Sequence, residues 1–365
     1  MTKKTLIFFI LISFIFPLQT WGEILNTTPP LTQEEQKGVV GRDLILNRKY
    51  DEALAYFKKL EEEEPQSLTG TFGQMAVWQV RMFENYDFKF ENEFLEVSSR
   101  NKNKVDDVLK NSDSTSWQLF LAGTSAGMRG FYLMRKSHPF QALGEASVAE
   151  KALDKTLEKD PNYADAYLGL GMYEYWRSVF TNRIKFLPFF KDRRKQGIAH
   201  LEKAMREGRV AGALSQIATA FCFFESRNFN HGIPILKNLL QSYPESIVAK
   251  NLIAEFYAMK GNYHEAHVIL EEMLAKHPEI SVTQYLQGNV YFQEGKWAEA
   301  KSWHEKHLST NPPAQWASYS LTELARMDLR EGKKEEAYSK FKKAYRIYPA
   351  NSYPLKELQK LRKKR

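Results

Sequence analysis

Residues 245–278 read ESIVAKNLIAEFYAMKGNYHEAHVILEEMLAKHP, and residues 279–312 read EISVTQYLQGNVYFQEGKWAEAKSWHEKHLSTNP. Each stretch is 34 residues long and ends on a proline, Pro278 or Pro312; Pro244 closes another one period upstream. A fixed period of this length marks stacked supersecondary units. With each proline at position 32, the three units align residue by residue. Position 8 is Ala220, Ala254 or Gly288, and position 20 is Gly232, Ala266 or Ala300. Position 11 is Phe223, Tyr257 or Tyr291; position 24 is Leu236, Leu270 or His304; position 27 is Leu239, Met273 or His307. Lys260-Gly261-Asn262 and Glu294-Gly295-Lys296 fall between the two halves and read as helix stops. The pattern predicts two antiparallel helices per unit. The small residues mark where the helices touch, and the proline ends the second helix because it lacks an N–H and clashes with the preceding turn.

Two further units fit the same template. With Pro349 at position 32, Ala325, Ala337, Phe341 and Ala344 fall at positions 8, 20, 24 and 27; with Pro65 there, Gly41, Leu44, Ala53 and Phe57 fall at 8, 11, 20 and 24. Small residues at 8 and 20, large ones at 11 and 24 and proline at 32 resemble the tetratricopeptide-repeat (TPR) family. The resemblance implies an all-α, right-handed superhelical solenoid of antiparallel helix pairs. One pair cannot bury its apolar face alone, so neighbours must stack.

The chain divides accordingly. Residues 34–67 form an N-terminal repeat, and 213–349 form a regular array. Residues 68–115 are a divergent helical and loop segment, with Ser98 to Ser116 reading as polar loop. Residues 116–212 hold divergent TPR-like pairs. Gly171 and Gly197 sit at positions 8 and 20 there, but 26 residues apart where 12 are expected. The excess predicts a loop inserted at 180–195. Residues 350–365 form a basic C-terminal cap, of the kind terminal repeats need for solubility. The stretch 121–208 is similar to the inclusion-body-clearance and TPR-39 group of outer-membrane-associated TPR proteins, which implies a lipid- or membrane-associated role.

The first 22 residues read as an export signal: Lys3 and Lys4, an apolar run from Leu6 to Phe16, Pro17, and small residues at Thr20 and Gly22. That run is too short to cross a hydrocarbon core, which needs about 20 residues. The predicted location is periplasmic or extracellular, peripheral to a membrane at most. Cleavage would leave 50 Lys and Arg against 44 Asp and Glu, a charge of +6. Export argues against nucleic acid as the partner. Cys222 is the only cysteine. Its apolar neighbours predict burial rather than reactivity.

Two motifs invite chemistry. Gly123-Thr124-Ser125-Ala126-Gly127 spells a hydrolase nucleophile elbow, but that needs a strand and an α/β sheet around it. Helical spacing of Gly123, Gly127 and Gly130 reads as helix packing. His264/His267 and His304/His307 could each chelate from one helix face. They sit at different repeat positions, however, and a metal site needs further ligands. His304 and His307 replace core residues, predicting hydrogen-bonded histidines near Trp303 and Trp316. No catalytic residue, metal or cofactor is expected.

Two surfaces remain as candidates. By the resemblance, the first helices of TPR units line a concave groove that holds peptide or protein segments, through positions 2, 5, 9, 12 and 13. Those positions give Tyr175, Trp176, Phe221, Phe224, Asn251, Glu255, Met259, Tyr285, Asn289, Phe292 and Arg326. Aromatic anchors supply much of the energy of such interfaces. The lysine that chaperone-binding TPRs use to clamp a carboxylate is replaced by Tyr285. The second candidate is the inserted loop, with Arg183, Lys185, Phe186, Phe189, Phe190, Lys191, Arg193 and Arg194 mixing cations and aromatics. It reads as a patch for a partner or an anionic membrane. The function expected is a non-catalytic protein-interaction scaffold in the cell envelope. The alternative is a membrane-peripheral factor that docks through the loop to lipid or outer-membrane components.

Overall fold

The computed structural model describes residues 30–181 and 191–363. Within them are seventeen helices and no strand. They fall into successive antiparallel pairs: α1 (Gln33–Leu46) with α2 (Tyr50–Glu63), α3 (Leu68–Glu84) with α4 (Glu91–Lys110), α5 (Ser116–Arg135) with α6 (Pro139–Lys159), and α7 (Ala166–Thr181) with α8 (Arg194–Glu207). Then follow α9 (Gly212–Glu225) with α10 (Phe229–Ser242), α11 (Ile247–Lys260) with α12 (Tyr263–Lys276), α13 (Val282–Glu294) with α14 (Trp297–Ser309), and α15 (Ala314–Arg330) with α16 (Lys334–Ile347). A last helix, α17 (Tyr353–Lys363), covers the end of the array.

The local signals act as the period requires. Second helices α2, α6, α10, α12 and α16 each stop two residues before a proline, at Pro65, Pro161, Pro244, Pro278 and Pro349. Gly261, Gly295 and Gly332 end α11, α13 and α15 in the left-handed conformation, at φ of 85°, 85° and 76°, where a side chain is disfavoured. The contacts at positions 8 and 20 are as close as predicted. A Cβ on Gly171 would lie 2.7 Å from the carbonyl oxygen of Gly197, and one on Gly41 would lie 2.0 Å from the ring of Phe57.

One expectation is corrected. Ser98 to Lys110 is not loop but the second half of α4, a helix of 20 residues. Phe94, Val97, Asn101, Val105 and Val108 recur at helical spacing and are buried. The polar residues between them form the outer face. Asn101 hides the pattern because it is polar and inside: it donates to Thr71 Oγ1 (3.1 Å) and accepts from Arg129 Nη1 (3.1 Å).

The superhelix closes on its own first repeat. Down one side of α1, polar groups meet successive inter-repeat turns. Glu35 accepts from Tyr163 (3.0 Å) and Arg209 (2.6 Å), Arg42 donates to the Val210 carbonyl (2.7 Å), and Asp43 accepts from Tyr243 (2.6 Å). Arg48, in the α1–α2 turn, reaches His277 (2.7 Å) and is paired with Glu84 (2.8 Å). In the α3–α4 turn, Asn85 Oδ1 accepts from Ser281 Oγ (3.0 Å) and the Val282 N–H (3.2 Å). It thereby caps α13, whose own N-cap Ser281 makes no side-chain cap bond.

Candidate functional site

First helices of the repeats line the inside of the coil, and the predicted groove residues divide into two sets there. Phe224 (α9), Glu255 and Met259 (α11), Asn289 and Phe292 (α13) and Arg326 (α15) converge on one cavity of about 390 Å3, open to solvent. Leu270, Leu286 and Val290 complete its wall from the core, and Ala258 and the exposed Gln293, at template positions 12 and 13, complete it from the groove face.

The other predicted groove residues do not line the cavity. Tyr175 is core: it is 2% exposed, and its hydroxyl donates to the Cys222 carbonyl (2.8 Å) and Glu225 (2.6 Å). Trp176 lies half-buried against Tyr175. Phe221 meets the ring of Phe83, with centroids 5.6 Å apart. Tyr285 is enclosed by Trp316 (4.9 Å), His304 (5.6 Å), His307 (5.9 Å) and Tyr319 (6.2 Å). Asn251 is half-buried, and its Oδ1 has no partner. The groove positions do not form one open stripe; part of them packs against the chain itself. Tyr86 from the α3–α4 turn stacks edge-on against Trp316 (5.4 Å) and joins the cluster of Ile247, Met273, Ile280 and Val282.

Sequence reasoning missed Phe83, Asn85 and Tyr86. Tyr86 and Arg48 both hold positive φ, 52° and 58°. This is an uncommon conformation for residues other than glycine. Arg48 occupies template position 15, where Gly261 and Gly295 sit, but the exposed Arg227 holds the same position at φ 56°, so the position alone did not announce the contact.

Charge in the cavity is uneven. Glu323 is paired with Arg326 at 2.7 Å, and the guanidinium of Arg326 lies over Phe292, 4.5 Å from the ring centroid. Glu255 has no ion pair or hydrogen-bond partner among the described residues. It keeps a partial opening to the cavity, but protein crowds its carboxyl, and burial raises its pKa to about 7. The phenol of Tyr86 is pushed up by burial and then by Glu255. Tyr285 is likewise raised by burial, with Glu323 and Glu255 adding to it.

The remaining motifs resolve without chemistry at this site. Ser125 is buried within α5, and a Cβ on Gly123 would strike Leu153 at 2.7 Å, so the motif is a helix contact. His304 and His307 are buried, and both Nδ1 atoms meet Ser320 Oγ, at 3.2 and 2.8 Å. Burial lowers their pKa values to about 3 and about 4, and the proximity of His307 adds to the effect on His304. His267 instead meets Glu294 at 3.1 Å. Of the inserted loop, Arg183, Lys185, Phe186, Phe189 and Phe190 lie outside the described residues, as does the predicted signal. Lys191 and Arg193 are exposed. Arg194 pairs with Asp192 (2.6 Å), and the Arg193 N–H donates to Ser178 Oγ (2.9 Å).

The class defined by this geometry is a solenoid of antiparallel helix pairs. Its repeats follow the tetratricopeptide pattern in their 34-residue period, in the small-residue contacts at positions 8 and 20, and in the proline-terminated second helices. No family model matches the chain, and no curated protein matches it. Solved structures similar to it include a tetratricopeptide repeat protein from Parabacteroides merdae, 16% identical, over 80% of this chain and 98% of that one, with a TM-score of 0.49. PilF from Pseudomonas aeruginosa is 17% identical over 65% of this chain and 96% of that one, with a TM-score of 0.44. A human IFIT1 dimer with PPP-AAAA is 15% identical over 86% and 72%, with a TM-score of 0.48. The assignment rests on the repeats rather than on these scores. Among the described residues, no helix is long and apolar enough to cross a membrane.

Proposed function

We propose that the protein is a non-catalytic interaction scaffold of the cell envelope that holds a segment of a partner protein in its concave cavity. One observation carries this reading: residues from four consecutive first helices, α9, α11, α13 and α15, converge on a single open cavity. Beside it the α3–α4 turn packs onto the array, with Phe83 against Phe221 and Tyr86 against Trp316. At about 390 Å3 the cavity is near the lower end of ligand-binding sites, which span roughly 300–1,000 Å3. It fits one or two side chains of a longer segment better than a whole cofactor. The test is recovery of partners from solubilised envelope by the wild-type protein and by Phe224→Ala/Asn289→Ala, with helicity checked by circular dichroism. Tyr285 is unsuitable for this variant because its ring packs against Trp316, His304 and His307. The reading expects a polypeptide recovered by wild type and lost in the variant. Identical recovery by both, or none by either, contradicts it.

A second reading, docking to an anionic membrane, is favoured by the apolar exposure beside the inserted loop. Phe180 is 55% exposed, and Phe140 and Leu143, at the start of the helix antiparallel to α7, are 89% and 59% exposed. Lys191 and Arg193, at the far end of the inserted loop, are exposed. Each cation near an anionic surface contributes about 1 kcal/mol. Phe189→Ser/Phe190→Ser is expected to lower co-sedimentation with anionic liposomes; unchanged co-sedimentation removes this reading.

A further inference from the structure

We infer that the concave cavity is a site for a cationic side chain, an alkylammonium or guanidinium group presented by the bound segment, with Glu255 as its counter-charge. The inference rests on the reading of the cavity as a partner site and specifies what the partner must bring.

One carboxylate of the cavity lacks a cation. Two carboxylates face this region, Glu255 and Glu323. Glu323 already has a cation in Arg326, at 2.7 Å, and that guanidinium is further engaged by the face of Phe292. Glu255 has none. Arg135, which lies over Tyr86 (5.7 Å) and Phe88 (4.6 Å), is engaged elsewhere: it donates to the Asp87 carbonyl (2.8 Å). The groups that influence or face Glu255 are Tyr86 from the α3–α4 turn, Tyr285 from α13, and the Glu323–Arg326 pair from α15. None of them neutralises it. Buried charges are normally paired, so an unpaired carboxyl lining an open cavity is a vacancy for a positive group.

The neighbouring surface agrees. One turn earlier on the same face of α11, outside the cavity wall, Asn251 Oδ1 is buried with no donor. The unmet demand is therefore for hydrogen-bond donors. An anionic or acceptor-rich ligand would add repulsion, whereas an ammonium or guanidinium brings only donors. The ring of Phe224 offers an apolar and π-rich wall, and Phe292 already accepts a guanidinium over its face. Met259 supplies an adaptable wall for the aliphatic stem. This is the inverse of a lysine clamp for carboxylates: the groove supplies the acid and the partner supplies the base.

The linkage is measurable. A bound cation favours the ionised form of a carboxyl, so its arrival must drive a proton off Glu255. The experiment follows the Glu255 Cδ resonance in protein labelled with 13C-glutamate, assigned by its loss in Glu255→Gln. Its titration midpoint is measured in sodium chloride, in n-butylammonium chloride at equal ionic strength as a mimic of the lysine side chain, and in n-butanol as the neutral isostere. The expected result is a midpoint lowered by about one pH unit or more in butylammonium, equivalent to roughly tenfold coupling, and unmoved in butanol. A midpoint that butylammonium leaves unchanged, or that butanol shifts equally, overturns the inference. The two readings fail separately. If a partner is lost from Phe224→Ala/Asn289→Ala while the Glu255 midpoint ignores butylammonium, the cavity is a partner site of another chemistry. If neither variant nor ligand has any effect, the partner site itself is wrong.

Discussion

Glu255→Gln should stabilise the protein, and by an amount that depends on pH in a defined direction. The folded-state pKa is raised to about 7 from 4.5. The folded protein therefore keeps a proton that the unfolded chain has already lost above pH 4.5. Stability then falls as pH rises through that window and levels off once the folded carboxyl has also ionised. At about 1.4 kcal/mol per pH unit, the gap between 4.5 and 7 is worth about 3 kcal/mol. His304 and His307 act in the opposite sense over an overlapping range. Their folded-state values, about 3 and about 4, lie below the ordinary 6.5, so acid takes stability away as pH falls below 6.5. In wild type the two trends partly cancel. The difference between Glu255→Gln and wild type removes the histidines and isolates the carboxyl. The assay is urea unfolding followed by circular dichroism at half-unit steps from pH 4.5 to 8.5. The difference should start near its smallest value at pH 4.5, grow with pH in favour of the glutamine variant, and flatten above pH 7.5 near 3 kcal/mol on this estimate. A difference that is flat across the range, or that grows toward acid, would refute the placement of Glu255 as a buried unpaired carboxyl.

Other substitutions probe the architecture. Ala266 is fully buried, so Ala266→Arg forces a long charged side chain between touching helices. A loss above about 4 kcal/mol is expected, read as collapse of the thermal transition of the C-terminal array, and an unchanged transition would mean the repeat register is wrong. Tyr86→Ala removes a ring packed on Trp316. It should cost about 3 kcal/mol, since alanine keeps the same left-handed backbone strain, and raise hydrogen exchange at the amides of α13; unchanged exchange there would argue against the docking of the α3–α4 turn.

How much of this was legible in the sequence follows from which interactions are local. Positions 8 and 20 are decided by contact between adjacent helices, so Gly171 and Gly197 could be placed before the structure was known. Proline-terminated helices are local too, and the tail of each second helix fell where Pro244 and Pro278 required. The α4 helix was obscured because Asn101, a polar residue, is inside, and its partners Thr71 and Arg129 are 30 and 28 residues away. The groove was half legible. Repeat position names the residues that face inward, such as Glu255 and Asn289, but not whether another part of the chain covers them. Phe221 is covered by Phe83 through superhelical closure, while Tyr285 packs among Trp316, His304 and His307, a cluster that Tyr86 joins. That closure joins residues about 200 apart, such as Asn85 and Val282, and no 34-residue period encodes it.

The central claim, that the concave cavity is where a partner binds, is tested most directly by placing a photo-crosslinking amino acid at Met259, which lines the cavity, and at Val268, which is exposed away from it. Irradiation in cells should give a discrete adduct from position 259, absent from position 268 and lost when Phe224→Ala/Asn289→Ala is added. Equal adducts from both positions, or an adduct from 268 alone, would contradict the account.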